Sequence, residues 1–438
     1  MRPSTIGRRK GTGPQPVSSP ADSPQLVGGA RISTVPSRAR ATAPSPDQPA
    51  RPQRRRRILR LRIALVRLGF GLGRRLPLQG HVVFASTAAS APSGNLAFIR
   101  AGLDRRNPPI PYLVLMLRPA PDWRSWLATF VYNLRAGYHL GRAKLFIVDD
   151  YYFPIYVIKP RKGTTIVQTW HASGAFKKIG WSVLDKTFGA DESLVEHVEI
   201  HSNYDICLMA STSSAVHYAD AFHQPLERFV TDIGMPRTDV LFGPAVPGIA
   251  AAVRAKYGLP AGKKVVLYAP TFRGTTVRKA TSPQDLDFRE LHRVLGDEFV
   301  ILLKLHPFVR EAQPIPAELR SFAIDASDHA DIHELMLVSD YLVTDYSSAI
   351  FEFSLLGRPM AFFAPDQAEY LDERGFYWDY QTGVPGPVFE TTTELAEWLK
   401  AGTWDQARID AFRADAFEVA DGHATERFVD RIVLPALR

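Results

Sequence analysis

An α/β protein of two Rossmann-like domains behind a disordered N-terminal extension is what this sequence predicts. Three observations carry the prediction. From about residue 78 short apolar runs alternate with helical patterns to the end of the chain, as βαβ units and parallel sheets require. The alternation falls into two successive series of similar size, parted near FGPAVPGIAA (242–251), which is read as a loop. A chain of 438 residues also exceeds what one hydrophobic core commonly serves. The expected domains are therefore residues 77–245 and 246–438.

The extension comes first. Residues 1–53 are rich in Pro, Ser, Ala and Gly; ten of the 34 prolines fall before residue 53 and no long apolar run occurs. Such a segment cannot bury enough surface to offset its ordering entropy, so disorder is expected. Residues 54–76 open with RRRRILRLRIALVRLGFGLGRR. The apolar run is too short and too charged to span a bilayer, and no small-residue cleavage site marks a secretory signal. A basic helix on an anionic membrane surface fits best, although Arg62 interrupts a clean polar face; a linker packed on the body is the alternative. Residues 1–76 carry 17 Lys+Arg against 2 Asp+Glu, a balance of +15, which leaves −7 for residues 77–438. The basic pI thus belongs to the N-terminal region, and the body lacks the broad positive face that nucleic acid would need.

The first α/β series supplies strands at HVVFAS (81–86), YLVLML (112–117), KLFIVDD (144–150), TTIVQTW (164–170) and DICLMA (205–210), with helices at 123–138 and 213–222. The lone Cys207 lies in a strand-like run and reads as a core thiol; one cysteine forms no internal disulfide, and this suits a reducing compartment. The second series runs through KKVVLYAPTF, a helix near LHRVL, FVILLKLHP, FAID, the helix DIHELMLVSD, YLVTD, the helix AIFEFSLLG and PMAFFAP, and ends in helical stretches.

Ligands of such sheets bind beyond the carboxyl ends of the strands, so the residues just after each apolar run are the candidates. Trp170 and His171 come after IVQT; Thr271, Phe272 and Arg273 after VVLYAP; His306 and Pro307 after ILLKL; Tyr346, Ser347 and Ser348 after YLVTD. Each has a bland reading beside a functional one. The serines fit a plain helix N-cap or an anion site. His306 is a loop residue stiffened by Pro307 or a phosphate donor. Arg273 is a surface ion pair or a phosphate fork. Glu352 is on a solvated helix face or on a ribose. Four polar strand ends together favour phosphate and proton transfer. The adjacent pair Asp149-Asp150 is no spaced D-x-D and reads as orienting a loop. HELML (333–337) lacks the second His of a zinc helix, and there is no G-x-S-x-G elbow or P-loop. No metal and no cofactor are expected.

The blocks TWHASGAFKKIG, YAPTFR, KLHP and VTDYSSAIFEFSLLGRPMAFFAPDQAEY, with RGFYWDY after them, closely resemble the CDP-glycerol glycerophosphotransferase family, the polyol-phosphate primases and polymerases of teichoic-acid-type polymers. The resemblance implies a glycosyltransferase-B-like fold. It implies transfer of glycerol phosphate or ribitol phosphate, glycerol first, from CDP-glycerol or CDP-ribitol to a hydroxyl of a lipid-linked or polyol-phosphate acceptor, with release of CMP. It also implies a peripheral place on the cytoplasmic face of the membrane. By the family pattern His171 is the general base and His306 the histidine at the donor pyrophosphate. Arg237 (in GMPRTD), Thr271, Arg273, Lys304, Ser347, Ser348 and Glu352 fall on the donor side. Ser173, Gly174, Lys177 and Lys178 fall on the acceptor side. Where the common wording after the histidine is G-T-P-L-K-K, this chain has Ala172-Ser173-Gly174-Ala175-Phe176-Lys177-Lys178, one residue longer and similar to a second variant of the family. An imidazole, titrating ordinarily near pH ~6.5, suits proton removal from an attacking hydroxyl. Two other readings stand beside this one: a nucleotide-sugar transferase of the same fold, and a non-catalytic membrane-associated scaffold.

Overall fold

The computed structural model of this chain describes residues 51–119, 122–183, 198–274, 280–283, 285–309 and 314–438. Residues 1–50 of the extension read as disordered lie outside the described residues. The first sheet holds β1 (Gln79–Ser86), β2 (Tyr112–Met116), β3 (Ala143–Val148), β4 (Thr165–Gln168), β5 (Ile206–Leu208) and β6 (Phe229–Val230), in the order β2-β1-β3-β4-β5-β6. The second holds β7 (Lys264–Tyr268), β8 (Phe299–Leu303), β9 (Ala323–Asp325), β10 (Tyr341–Thr344), β11 (Met360–Phe363) and β12 (Val388–Phe389), in the order β12-β11-β10-β7-β8-β9. Every pairing is parallel. Strands covered on both faces read as continuous apolar runs, and all five residues of β8, FVILL, are buried.

Both sheets reverse their winding at their first strand. β1 pairs with β2 on one side and β3 on the other, and β7 lies between β10 and β8. Loops leaving a reversal point in opposite directions open a crevice between them, so the residues after β1, β3, β7, β8 and β10 surround two such crevices. The elements end close to where the sequence places them, with two instructive differences. β4 stops at Gln168, before Trp170, because Trp170 adopts φ +50°, a left-handed backbone that no strand continues. The stretch 242–251 is a loop only to Ala245; a helix, Val246–Tyr257, begins there with Pro247 in its first turn, where a missing N–H costs nothing.

The closing segment returns to the first sheet's layer. Lys144 Nζ donates to the Leu437 carbonyl at 2.6 Å, and the amides of Ala424 and Thr425 donate to the Asp239 carboxylate at 3.0 and 2.8 Å. One buried apolar cluster runs from Val82 and Phe84 through Phe176 to Phe351 and Phe428, joining the two sheets' layers.

The basic stretch forms the helix α1 (Arg51–Gly73), laid along α3 (Trp123–Leu140). The glycines explain how close they lie: a Cβ on Gly69 would stand 2.0 Å from the Leu134 carbonyl oxygen, and one on Gly137 2.1 Å from that of Val66. Val66 and Phe70 are buried in this seam. Arg62, which breaks the polar face in the sequence, turns inward, its guanidinium 4.3 Å from the centre of the Phe153 ring.

Candidate active site between the two sheets

A cavity of about 540 Å³ opens between the strand ends of the two sheets. One wall carries Asn95, Asp149, Trp170, His171 and Arg237; the other carries Thr271, Lys304, His306, Asp331, Ser347, Ser348 and Glu352.

His171 is held by its neighbours' backbone. Asn95 lies at the start of α2 (Gly94–Asp104). It is buried, and its Nδ2 donates to the carbonyls of Thr169 and Trp170 at 3.0 and 2.9 Å. Its Oδ1 accepts the Arg237 amide at 3.0 Å. Gln168 Oε1 accepts the Trp170 amide at 2.9 Å. These bonds, and a Trp170 ring buried among Tyr218, Phe222 and His201, sustain the left-handed turn that throws His171 into the cavity. The imidazole stacks on the Trp170 ring at 4.6 Å, and its side chain remains 55% exposed. Its Nδ1 meets the Asp149 carbonyl at 3.3 Å. Nδ1 is therefore the protonated nitrogen, and Nε2 carries the free lone pair.

His306 faces the opposite way in chemistry. Its Nδ1 accepts the Phe308 amide at 3.2 Å, so the neutral ring keeps its proton on Nε2. Burial first, then the charges of Lys177, His171, Arg374 and Lys304, lower its pKa to about 4. Its ring packs between Phe272 and Phe308, with centroids 4.9 and 4.6 Å away. The cavity thus has a base nitrogen on one wall and a neutral N–H donor on the other.

The remaining expected residues divide. Ser347 and Ser348 line the cavity; Ser347 Oγ accepts the Ala349 amide at 3.2 Å, while the Ser348 side chain makes no capping bond. Arg237 lines it too, donating to the His171 carbonyl from Nη1 and leaving Nε buried with no hydrogen-bond partner among the described residues. Glu352 is buried on the wall with its carboxylate engaged: Oε1 accepts Ser173 Oγ at 2.8 Å and lies 3.8 Å from Arg237 Nε. Thr271 lines the wall, but its amide and hydroxyl both donate to Asp345 Oδ1, at 2.8 and 2.9 Å. Lys304 Nζ is spent on the carbonyls of Ser327 and His329, at 2.8 and 2.6 Å.

Arg273 lies outside the lining. Its guanidinium donates to Asp345 Oδ2 at 2.8 Å, to both carboxylate oxygens of Asp366 and to the Thr271 carbonyl. One buried carboxylate, Asp345, and one partly buried, Asp366, require this cation, which leaves no fork for a phosphate. Ser173, Gly174, Lys177 and Lys178, expected on the acceptor side, also lie off the lining and join the two halves. The Lys178 amide donates to the Gly375 carbonyl and the Tyr377 amide to that of Phe176, each at 3.1 Å. Trp378 Nε1 donates to the Ala175 carbonyl at 2.7 Å, and Lys177 Nζ to Tyr370 Oη at 3.0 Å. The Phe176 ring stacks on Phe376 and Trp378, both at 4.8 Å. Gly174 is obligatory here, because a Cβ would stand 2.2 Å from the Phe351 ring. Asn95 and Asp149 escaped the sequence reading as site residues; the strand-end rule applied to β3 points to Asp149, whereas Asn95 lies beyond the strand end, in the first turn of α2. Among the described residues no group of three His, Cys, Asp or Glu side chains could hold a metal ion.

Two doubly wound parallel sheets facing one another across a cavity, with functional groups from both, define a glycosyltransferase-B-like architecture. A family model described as CDP-Glycerol:Poly(glycerophosphate) glycerophosphotransferase matches residues 72–434, and the chain belongs to that family. It is 36% identical over 381 residues to a teichoic acid poly(ribitol-phosphate) polymerase of Bacillus spizizenii, covering 86% of this chain and 60% of that protein. It is 36% identical over 362 residues to a teichoic acid ribitol-phosphate primase of the same species, covering 82% of this chain and 92% of the primase. Among solved structures, a variant of the wall teichoic acid polymerase TagF soaked with CDPG superposes with a TM-score of 0.69 at 26% identity, over 87% of this chain and 95% of that one.

Proposed function

We propose that this chain transfers a polyol-phosphate unit from a CDP-activated donor to a hydroxyl of a lipid-linked acceptor or growing teichoic-acid-type polymer, releasing CMP. The observation that carries the reading is the pair of histidines on opposite walls of one cavity, His171 with a free Nε2 and His306 with an Nε2–H. The acceptor hydroxyl loses its proton to His171 Nε2 as its oxygen bonds to the polyol-bearing phosphorus. The bond from that phosphorus to the CMP phosphate oxygen breaks. Charge gathering on the departing phosphate meets the His306 N–H, the Ser348 hydroxyl and the Arg237 guanidinium. Asn95 ties the His171 wall together, and the Ser173–Glu352 bond keeps the two walls in register. For the polyol we infer ribitol, against the initial expectation of glycerol, because the two ribitol-phosphate relatives align over more than four fifths of the chain. The poly(glycerol phosphate) polymerase of Bacillus subtilis aligns over 61%.

The reading includes a place on the membrane surface. Among the described residues no helix is long and apolar enough to cross a membrane. α1 nevertheless presents Leu61, Leu68 and Leu72, and α3 Trp123, Trp126, Leu127 and Val131, all exposed, with Arg56, Arg57, Arg60 and Arg124 exposed on the same helices. Indole rings and leucines ringed by arginine are what an anionic lipid interface takes up. The test of the activity is CMP release by the purified chain from CDP-ribitol and CDP-glycerol, each with a short polyol-phosphate acceptor. Acceptor-dependent CMP from CDP-ribitol is expected; none from either donor, with the chain folded, overturns the reading in favour of a nucleotide-sugar donor.

A further inference from the structure

We infer that Asp149 selects the acceptor: its free carboxylate oxygen accepts a hydrogen bond from a second hydroxyl of a polyol whose neighbouring hydroxyl is being deprotonated by His171. The inference rests on the transfer reading above and deepens it.

Asp149 comes directly after β3, at the point where the first sheet reverses its winding. The residue is only 8% exposed, yet it lines the cavity. The Ser86 hydroxyl, at the end of β1, bonds its carboxyl group, while Oδ1 is buried with no hydrogen-bond partner among the described residues. A buried carboxylate oxygen without a donor is costly, and a fold retains one where a ligand completes it. Its position says which ligand. The Asp149 backbone carbonyl is the group that receives His171 Nδ1, so this carboxylate and the base nitrogen belong to one wall and address one substrate. The donor-side groups His306, Ser347 and Ser348 occupy the other wall. A carboxylate repels phosphate, so its partner is a neutral O–H. The reacting end of a polyol acceptor supplies one beside the nucleophile.

The surroundings keep the group responsive. Burial and the neighbouring Asp150 push its pKa up to about 6, against the Ser86 bond and the charge of His171; Tyr132 is the other titratable group nearby. At neutral pH the oxygen is ionised and accepts.

The test crosses two changes. The full-length chain and Asp149→Asn are assayed for CMP release with two short acceptors: one ending in a vicinal diol, and its deoxy analogue lacking the hydroxyl beside the nucleophile. A hydrogen bond to a charged group predicts that Asp149→Asn lowers kcat/KM for the diol acceptor about 10- to 100-fold, chiefly through acceptor KM, with donor KM within about twofold. The deoxy acceptor suffers the same loss with the unmodified chain and no further loss with Asp149→Asn. Equal turnover of diol and deoxy acceptors by the unmodified chain overturns the inference without recourse to any variant. So does a multiplicative loss, or a donor KM that rises as much as the acceptor's. Absence of CMP from the unmodified chain with every donor and acceptor instead overturns the transfer reading, and this inference with it.

Discussion

Replacing His306 by alanine and by glutamine separates two roles for that ring, a stored acid and a fixed neutral donor. Burial, above all, and nearby positive charge lower its pKa to about 4. At pH 7 a proton on the free enzyme's ring therefore costs about 4 kcal/mol, too much for a resting acid. The neutral ring, pinned through Nδ1 to the Phe308 amide, presents Nε2–H instead. Removing one preorganised donor from a site of developing charge costs on the order of 10²- to 10³-fold in rate, about 2.7–4 kcal/mol. His306→Ala is expected to lower kcat/KM for the CDP-polyol by that factor. His306→Gln, whose amide also donates, should recover at least about tenfold of it. The assay is CMP release measured from pH 5 to 9, since kcat/KM reports the free enzyme's groups. A fall on the basic side below pH ~8 that is present in the parent and absent in His306→Gln would refute the neutral-donor reasoning.

Three further outcomes rest on particular contacts. Gly174→Ala places a Cβ 2.2 Å from a Phe351 ring that is itself buried and stacked on Phe412 at 5.2 Å. Overpacking of this kind costs about 1–3 kcal/mol, so the melting temperature should fall, and an unchanged melt would mean that the ring yields freely. Trp126→Glu with Leu127→Glu should weaken binding to phosphatidylserine-containing vesicles and leave soluble turnover of a short acceptor intact; undiminished flotation would remove α3 from the membrane reading. Asp149, raised from 3.8 to about 6, is easier to protonate folded than unfolded. Its contribution to stability is thus full below pH ~4 and lost as pH rises through about 6. Asp149→Asn should therefore exceed the parent in stability at pH 8 by up to about 3 kcal/mol, with the gain vanishing near pH 4. Denaturant midpoints at the two pH values measure it, and a variant less stable than its parent at pH 8 contradicts the assigned burial cost.

What the sequence disclosed and what it withheld divide along a physical line. Alternating apolar runs report burial on both faces of a strand, a local property, and the two sheets appear where those runs lie. A residue's position just past a strand end is equally local, so His171, His306, Ser347 and Ser348 could be read from the chain, as could Asp149 had the same weight been given to the end of β3. Whether a polar group at such a position is free to meet a ligand is a different matter, because its competitors come from far along the chain. Arg273 looked like a phosphate fork, but Asp345 and Asp366, 72 and 93 residues away, take its donors. Lys177 falls on the acceptor side by the family pattern, but Tyr370, 193 residues away, holds its ammonium. Arg62 looked like a flaw in a surface helix, and Phe153 draws it inward.

The longer wording after His171 shows the same division from the other side. Residues 173–178 leave the strand end polar and basic, which locally suggests substrate binding. Their partners are Glu352, Phe351, Gly375, Phe376, Tyr377 and Trp378, all from the second half of the chain. A base on one wall and a leaving-group donor on the other are useful only if the walls keep their spacing, since a displacement of about 1 Å can cost on the order of a hundredfold in rate. A segment that begins two residues after the base and stacks into the opposite domain holds that spacing at the nearest available point. The motif's basic and small residues thus serve the chemistry through geometry, by fixing where His171 stands relative to His306, and the acceptor is left to the groups that face the cavity.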